Sequence, residues 1–160
     1  MVGTSGDANQ YSDRDFIVAI GNARIREAVQ NRLAATGMNL VTLIHPNAVI
    51  GENVSLDEGT VVMAGAVINP CVKIGKGCII NTCASVDHDC LVGDFAHVSV
   101  GAHVAGTVTI GERTWLGIGS VVSNNIDITS DCMIGAGAVV VKNIQESGTY
   151  VGVPAKKIIK

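Results

Sequence analysis

The chain is 160 residues long and carries a formal net charge of -3; 48% of it is hydrophobic, yet only 3% is aromatic and 16% charged. That apolar content excludes a disordered chain, and the absence of any basic cluster beyond Lys156 and Lys157 argues against nucleic acid as a partner. The uncharged run 95–111 is broken by His97, Ser99, His103, Thr107 and Thr109, and the run 33–51 by Thr36, Asn39, Thr42, His45 and Asn47, too often to span a membrane, so no membrane partner is expected.

Val and Ile together supply 40 residues against six Leu and two Phe, so small branched side chains must build the core. Five cysteines without a CxxC pair, and no apolar leader in MVGTSGDANQYSDRD, point to a reducing cytoplasm.

In chain order, the continuous apolar run 16–20 predicts a buried strand. Asn22 is placed to cap a helix whose Ile25, Ala28, Val29 and Leu33 share one face, and Gly37 to end it. Residues 39–44 read as a second strand, which makes one βαβ unit. A single such unit cannot bury its own faces and must pack on something else. His45-Pro46 marks the join to a different pattern.

From Ile50 to Val140 every sixth residue is aliphatic, through Leu56, Val62, Ile68, Ile74, Ile80, Val86, Val92, Val98, Val104, Ile110, Leu116, Val122, Ile128 and Ile134. A second column four places later is mostly small: Thr60, Ala66, Cys78, Ala84, Cys90, Ala96, Ala102, Ser120, Cys132 and Ala138. The residue just after each aliphatic is often Gly, Asp or Asn, as expected at a corner. A period of six with two inward positions predicts a parallel β-helix with triangular coils of about 18 residues, slightly more than five coils in all. Cys78, Cys90 and Cys132 then serve as small core residues, and none of the five cysteines is assigned a nucleophilic role.

His88, in Asp87-His88-Asp89, stands off both inward columns, so its imidazole should project from the prism with a carboxylate beside it. A neighbouring Asp orients the ring and favours the imidazolium, as a general base requires. A polar corner is the plainer reading. His97 and His103 fall on adjacent faces, which makes a zinc site within one chain improbable, because ligands must lie about 2 Å from the metal. Trp115, one coil after His97, is placed either to stack on a ligand or to pack at a subunit interface.

The repeat over 50–144 resembles that of the hexapeptide-repeat acyltransferases, [LIV]-[GAED]-x-x-[STAV]-x. The stretch INTCASVDHDCLVGDFAHVSVGAHVAGTVTIGERTWLGIGSVV, 79–122, is similar to the signature of the sugar O/N-acyltransferases of that family, which include bacterial UDP-amino-sugar N-acetyltransferases and sialic acid O-acetyltransferases. The resemblance implies a mainly β chain, a left-handed parallel β-helix at 45–145. A short, truncated βαβ Rossmann-like segment at 1–44 would precede it, and a tail at 146–160 would follow it. The family's glycine-rich opening turn is missing from the front, which puts acceptor binding in question.

Carried over residue by residue, the resemblance puts the catalytic base on His88 and its acidic partner on Asp89, where relatives often carry the longer Glu. The acetyl-CoA contacts fall on His97, the Gly106 amide, Ile118, Ala136 and, in the tail GVPAKK, Lys156. It further implies direct acetyl transfer to a nucleotide-linked amino sugar or related sugar of bacterial surface glycan synthesis. The enzyme would be a cytoplasmic homotrimer with sites between subunits, a small-molecule sugar as partner and no metal. The acceptor, and the choice between N- and O-acylation, stay open. The alternatives are a non-catalytic trimeric scaffold and, less favoured, a zinc protein of the γ-carbonic anhydrase kind, which shares the scaffold.

Overall fold

Each six-residue unit folds as a two-residue strand and a corner, and successive strands stack on those 18 residues away, as Val62 on Ile80 and His97 on Trp115. The computed structural model describes residues 5–158; residues 1–4 and 159–160, the ends of the expected N-terminal segment and tail, lie outside it. Three parallel sheets form the walls of a prism. The first face runs from Leu43–Ile44 through His97–Val98 and Trp115–Leu116 to Cys132–Ile134. The second runs from Val49–Ile50 through Ser85–Val86 and His103–Val104 to Val139–Val140, and the third from Ser55–Leu56 to Asp127–Ile128.

The first rung lies one unit earlier than the sequence suggests. Residues 39–44, expected as one strand, divide: Asn39–Leu40 pairs with Asp15–Phe16, while Leu43–Ile44 already stacks on Val61–Val62. With it the first face carries six rungs of the prism, from Leu43–Ile44 to Cys132–Ile134, where the series from Ile50 supplies five.

Both predicted columns point inward. From Val62 onward the aliphatics are buried, and Ala66, Cys78, Ala84, Cys90, Ala96 and Ala102 are fully so. A layer one aliphatic and one small residue deep fills a triangle this narrow; of its three buried polar members Thr60 and Thr114 are satisfied internally, while Ser120 Oγ meets no partner among the described residues. Thr60 Oγ1 donates to Gly75 O (2.8 Å) and accepts from Cys78 N (3.0 Å); Thr114 does the same with Thr129 O and Cys132 N (2.9 and 3.2 Å). Burial pushes the Cys78 thiol up to about 12, so it carries no reactive thiolate near neutral pH.

At each corner a left-handed residue comes three places after the aliphatic, and it recurs at every sixth position from Asn53 to Gly137. Six of these positions are Gly, but Cys71, Phe95, Thr107 and Arg113 also occupy them. The glycines directly after the aliphatics have another cause, the closeness of the next coil. A Cβ on Gly111 would lie 2.3 Å from Ser130 N, and one on Gly93 2.7 Å from Glu112 N.

Before the prism, β1 (Asp15–Phe16), α1 (Ala23–Ala35) and β2 (Asn39–Leu40) form a parallel βαβ unit with a small core of Ala8, Val18, Leu33, Met38 and Leu40. Only two residues of the expected strand at 16–20 and its flank join a ladder, and residues 17–20 run on without one. The helix ends are as predicted. Asn22 Oδ1 accepts from Ile25 N (3.1 Å), and beyond Thr36 the left-handed Gly37 returns its N–H to Ala34 O (2.9 Å) while Met38 N reaches Leu33 O (3.2 Å).

The buried face of α1 is the predicted one only in part. Leu33 is buried and Val29 packs against the small core, but Ile25 is 54% exposed and Ala28 is exposed, while Arg26 and Gln30 are buried. The reason is the surface beneath. Instead of an apolar sheet, α1 lies along the corner between the third and first faces, which presents carbonyl oxygens. Arg26 donates to Gly77 O (2.7 Å), Phe95 O (2.6 Å), Ile20 O (2.7 Å) and Gly21 O (2.8 Å). Gln30 packs over Gly59 and Gly77 and donates to Glu58 O (3.2 Å). Further along the same edge Glu27 meets Arg113 (3.5 Å) and Arg24 meets Asp131 (2.7 Å). At the other end of the chain, Gly148–Val151 adds a parallel strand to Cys132–Ile134 and folds back through Lys156–Lys157. Among the described residues no helix is long and apolar enough to cross a membrane.

Candidate active site

His88 sits at the corner between the second and third faces. The left-handed backbone at Asp89 (φ 57°) turns that carboxylate back to the ring it follows, and Asp tolerates this conformation better than most residues. His88 Nδ1 donates to Asp89 Oδ2 over 2.9 Å, so the shorter acid reaches the ring after all. With the proton held on Nδ1, the unprotonated nitrogen is Nε2. The bond to Asp89 comes first in raising the His88 pKa above the ordinary histidine value, and the charges of Asp87 and Asp89 add to it.

Nε2 faces Gly106, one coil on. A Cβ on that glycine would stand 2.6 Å from Nε2 and 2.7 Å from Cε1, so the ring occupies the place of the missing side chain. Most amides at this corner position, that of Gly106 included, meet no protein acceptor among the described residues. Asp87 Oδ1 caps the N–H of His88 (2.8 Å) and Asn81 Oδ1 that of Thr82 (2.8 Å), but Ala105 offers Gly106 no such acceptor. Among the described residues no protein group takes the Gly106 N–H, so a base and a free donor lie side by side.

His97 lies on the first face, away from this corner, and is only 8% exposed. Its ring stacks on Trp115 with centroids 5.0 Å apart, so the tryptophan packs within its own chain, and Trp115 Nε1 donates to Ser99 Oγ. Asn81, held by Thr82 N, turns its Nδ2 to His97 Nε2 (3.1 Å). Nε2 therefore accepts, and the proton is on Nδ1, which is buried and has no partner. Burial first, and the nearby Arg26 charge second, push the His97 pKa down to about 4, which keeps the ring neutral. It forms one wall of a groove of about 520 Å³ with Ile20, Ile44, Met63, Asn81 and others.

The remaining candidates are scattered within one chain. Ile118, 58% exposed, and Ala136 stack at the corner between the first and second faces, where Gly137 N donates to Ile118 O (2.9 Å). Lys156 borders a depression of about 240 Å³ together with Lys142, Tyr150 and Pro154, while Lys157 is engaged by Glu146 (2.9 Å). His103 is exposed on the second face, paired with Ser85 Oγ (2.8 Å). The three histidines thus occupy a corner and two different faces, and among the described residues no three His, Cys, Asp or Glu side chains are placed to hold a metal. His88, Asp89 and Gly106 are brought together; His97, Ile118, Ala136 and Lys156 are not.

The sequence reading missed the supports of the site. Asn69 Nδ2 donates to Asp87 Oδ1 (2.7 Å), a contact that the 18-residue register could have disclosed. The Asn81 contact to His97, 16 residues apart, lies off that register.

The prism and its six-residue register place the chain among the hexapeptide-repeat proteins. Residues 107–142 match the bacterial transferase hexapeptide family (six repeats). The acetyltransferase domain of PglB from Neisseria gonorrhoeae FA1090, solved in complex with acetyl coenzyme A, is 41% identical with a TM-score of 0.95, covering 98% of this chain and 78% of that one. PerB from Caulobacter crescentus, in complex with CoA and GDP-perosamine, is 40% identical with a TM-score of 0.93, covering 96% and 74%. The chain belongs to this hexapeptide-repeat family. UDP-N-acetylbacillosamine N-acetyltransferase of Bacillus subtilis (strain 168) is 39% identical over 49 residues, 31% of this chain. The matched stretches span about a quarter of the curated relatives, 23% and 26% of their lengths.

Proposed function

We propose that this chain is an acetyl-CoA-dependent N-acetyltransferase acting on a nucleotide-linked amino sugar of bacterial surface glycan synthesis, working in the cytoplasm as a homotrimer of left-handed β-helices. The observation that carries the reading is the His88 ring, fixed by Asp89, with its basic Nε2 over the uncapped Gly106 amide. The relatives' names favour nitrogen over oxygen as the acylated atom.

In the reaction the acceptor amine nitrogen attacks the thioester carbonyl carbon. A C–N bond forms as the C–S bond breaks, and the amine proton passes to His88 Nε2 and from there to the departing thiolate. The Gly106 N–H steadies the oxyanion. His97 Nδ1–H, a buried donor without a partner, orients the thioester oxygen, and Lys156 meets a coenzyme phosphate.

Assembly around a threefold axis would supply what one chain leaves apart. The outward side chains of the first and second faces are largely apolar, with Val49 60% exposed and Leu43, Val121 and Met133 also open, whereas the third face presents Lys73 and Asp127. Packing the second face of one subunit on the first face of the next brings the His88 corner toward a partner's coenzyme contacts. The βαβ unit then belongs to a Rossmann-like acceptor domain.

The test is to incubate the protein with acetyl-CoA and a panel of UDP-, GDP- and dTDP-linked amino sugars and to follow acetylated product by mass spectrometry. Transfer by the wild type and its loss in His88→Ala are expected. Acetyl-CoA binding without transfer to any acceptor would favour a non-catalytic scaffold, and full turnover by His88→Ala would sink the assigned base.

A further inference from the structure

His88 lies between two carboxylates, and only one of them holds its ring. Asp89 Oδ2 accepts from Nδ1, while Asp87 Oδ1 is turned away, engaged at once by the Asn69 amide (2.7 Å) and by the backbone N–H of His88 (2.8 Å). Those two bonds hold Asp87 as a fixed acceptor, and the Asn69 amide comes first in keeping its carboxyl below the usual carboxylate range. Asn69 is positioned in turn by its place in the ladder, where its own N–H donates to Val86 O (2.9 Å). The contact between the two side chains joins stacked coils, so it reaches His88 from the coil before.

Resting on the acetyl-transfer reading above, we infer that Asn69 is a positioning residue that selects the partner of the catalytic base: by occupying Asp87 it leaves the His88 ring to Asp89 alone, with Nε2 directed at Gly106. Without the amide, Asp87 is free to swing onto the imidazole. Two anions on one ring favour the imidazolium, so less free base remains at neutral pH, and the ring is shared between two orientations. Asp87 and Asp89 are the charged groups facing His88 on this chain; the elements packed against it add the Thr107 N–H, on the His88 carbonyl, and the buried Cys90 thiol.

The experiment compares wild type, Asn69→Ala and Asn69→Ala/Asp87→Asn. Alanine keeps the main-chain bond to Val86. The readouts are the pH profile of kcat/KM for acetyl transfer and, independently of activity, the titration of His88 by nitrogen-15 NMR of histidine-labelled protein, assigned with His88→Ala. In Asn69→Ala the His88 titration and the acidic limb of the profile should both move up by about one pH unit, so that on that limb turnover falls by up to about tenfold. The double variant should return both toward wild type and turn over faster than Asn69→Ala, because the competing charge is gone; a merely structural contact would not be rescued by losing its second partner. An unmoved His88 titration in Asn69→Ala, or a double variant no faster than the single one, overturns the inference. If wild type transfers no acetyl group yet the NMR shifts appear as stated, the acetyl-transfer reading fails and the control of the ring by Asn69 stands.

Discussion

Replacing Gly106 by Ala separates the site from the fold. The new Cβ would arrive 2.6 Å from His88 Nε2, 2.7 Å from Cε1 and 3.1 Å from Cδ2, against an ordinary contact of about 3.5 Å. Nearly 1 Å must be recovered, and the atoms in the way belong to an exposed ring with two free torsions, not to backbone. Gly106 does not have a left-handed φ, so alanine fits the main chain and stabilises it by about 0.4–1 kcal/mol through the unfolded state. The ring must move, and with it the base. A displacement of that size costs about 10²-fold in kcat, roughly 2.7 kcal/mol of transition-state stabilisation.

Steady-state kinetics beside a thermal melt would check this: kcat falls about 100-fold while Tm stays level or rises slightly. In a His88→Ala background the same change should do almost nothing further, because the group it displaces is gone. A Gly106→Ala enzyme with wild-type kcat, or one that loses activity together with Tm, would refute the placement of the ring.

Gly77→Ala has the opposite character, since it places a Cβ at φ +62°, 2.4 Å from the Phe95 ring and 2.9 Å from Gln30 Oε1; chemical denaturation should report a loss of about 2–4 kcal/mol. The buried His97, with a pKa of about 4 folded against about 6.5 unfolded, makes the unfolded chain bind more protons between those values, so stability rises with pH across that window and is lost on acidification. The loss from this group is at most about 3 kcal/mol, and urea midpoints measured from pH 7 down to pH 4 should fall more steeply for wild type than for His97→Gln. Parallel profiles would count against a neutral buried ring. Thr107 is a β-branched residue at φ +60°, and Thr107→Gly should raise stability by about 1 kcal/mol, read as an upward shift in Tm.

The parts of the fold that a repeat dictates were legible in advance, because in a two-column register each residue's direction follows from its number. The aliphatics from Val62 to Val140 all face the core for that reason. The docking of α1 was not legible. An apolar helix face is a good guide when a helix meets a sheet, but here it meets a row of corner carbonyls, and Arg26 and Gln30 serve it better than Ile25. The corners were half legible, since Gly at one position marks close stacking and at another a left-handed turn that Thr107 and Arg113 also adopt. At the candidate site, adjacency disclosed His88 and Asp89, while Gly106 came from the family resemblance and sits, 18 residues on, one coil after His88. His97 needed three dimensions, because its tautomer follows from an Asn81 amide fixed by a third residue.

The helix along the edge also bears on how the prism melts. A stack in which each coil touches only its neighbours can fray from its ends, one rung at a time. Here one 13-residue rod, about 20 Å long, bonds or packs to the edge at Gly59, Gly77, Phe95, Arg113 and Asp131. Five consecutive turns are thereby tied to a single element, and an end coil cannot peel away without breaking contacts that also restrain its neighbours. A linear array becomes a splinted one, whose loss should be cooperative over the length of the rod and graded only beyond it.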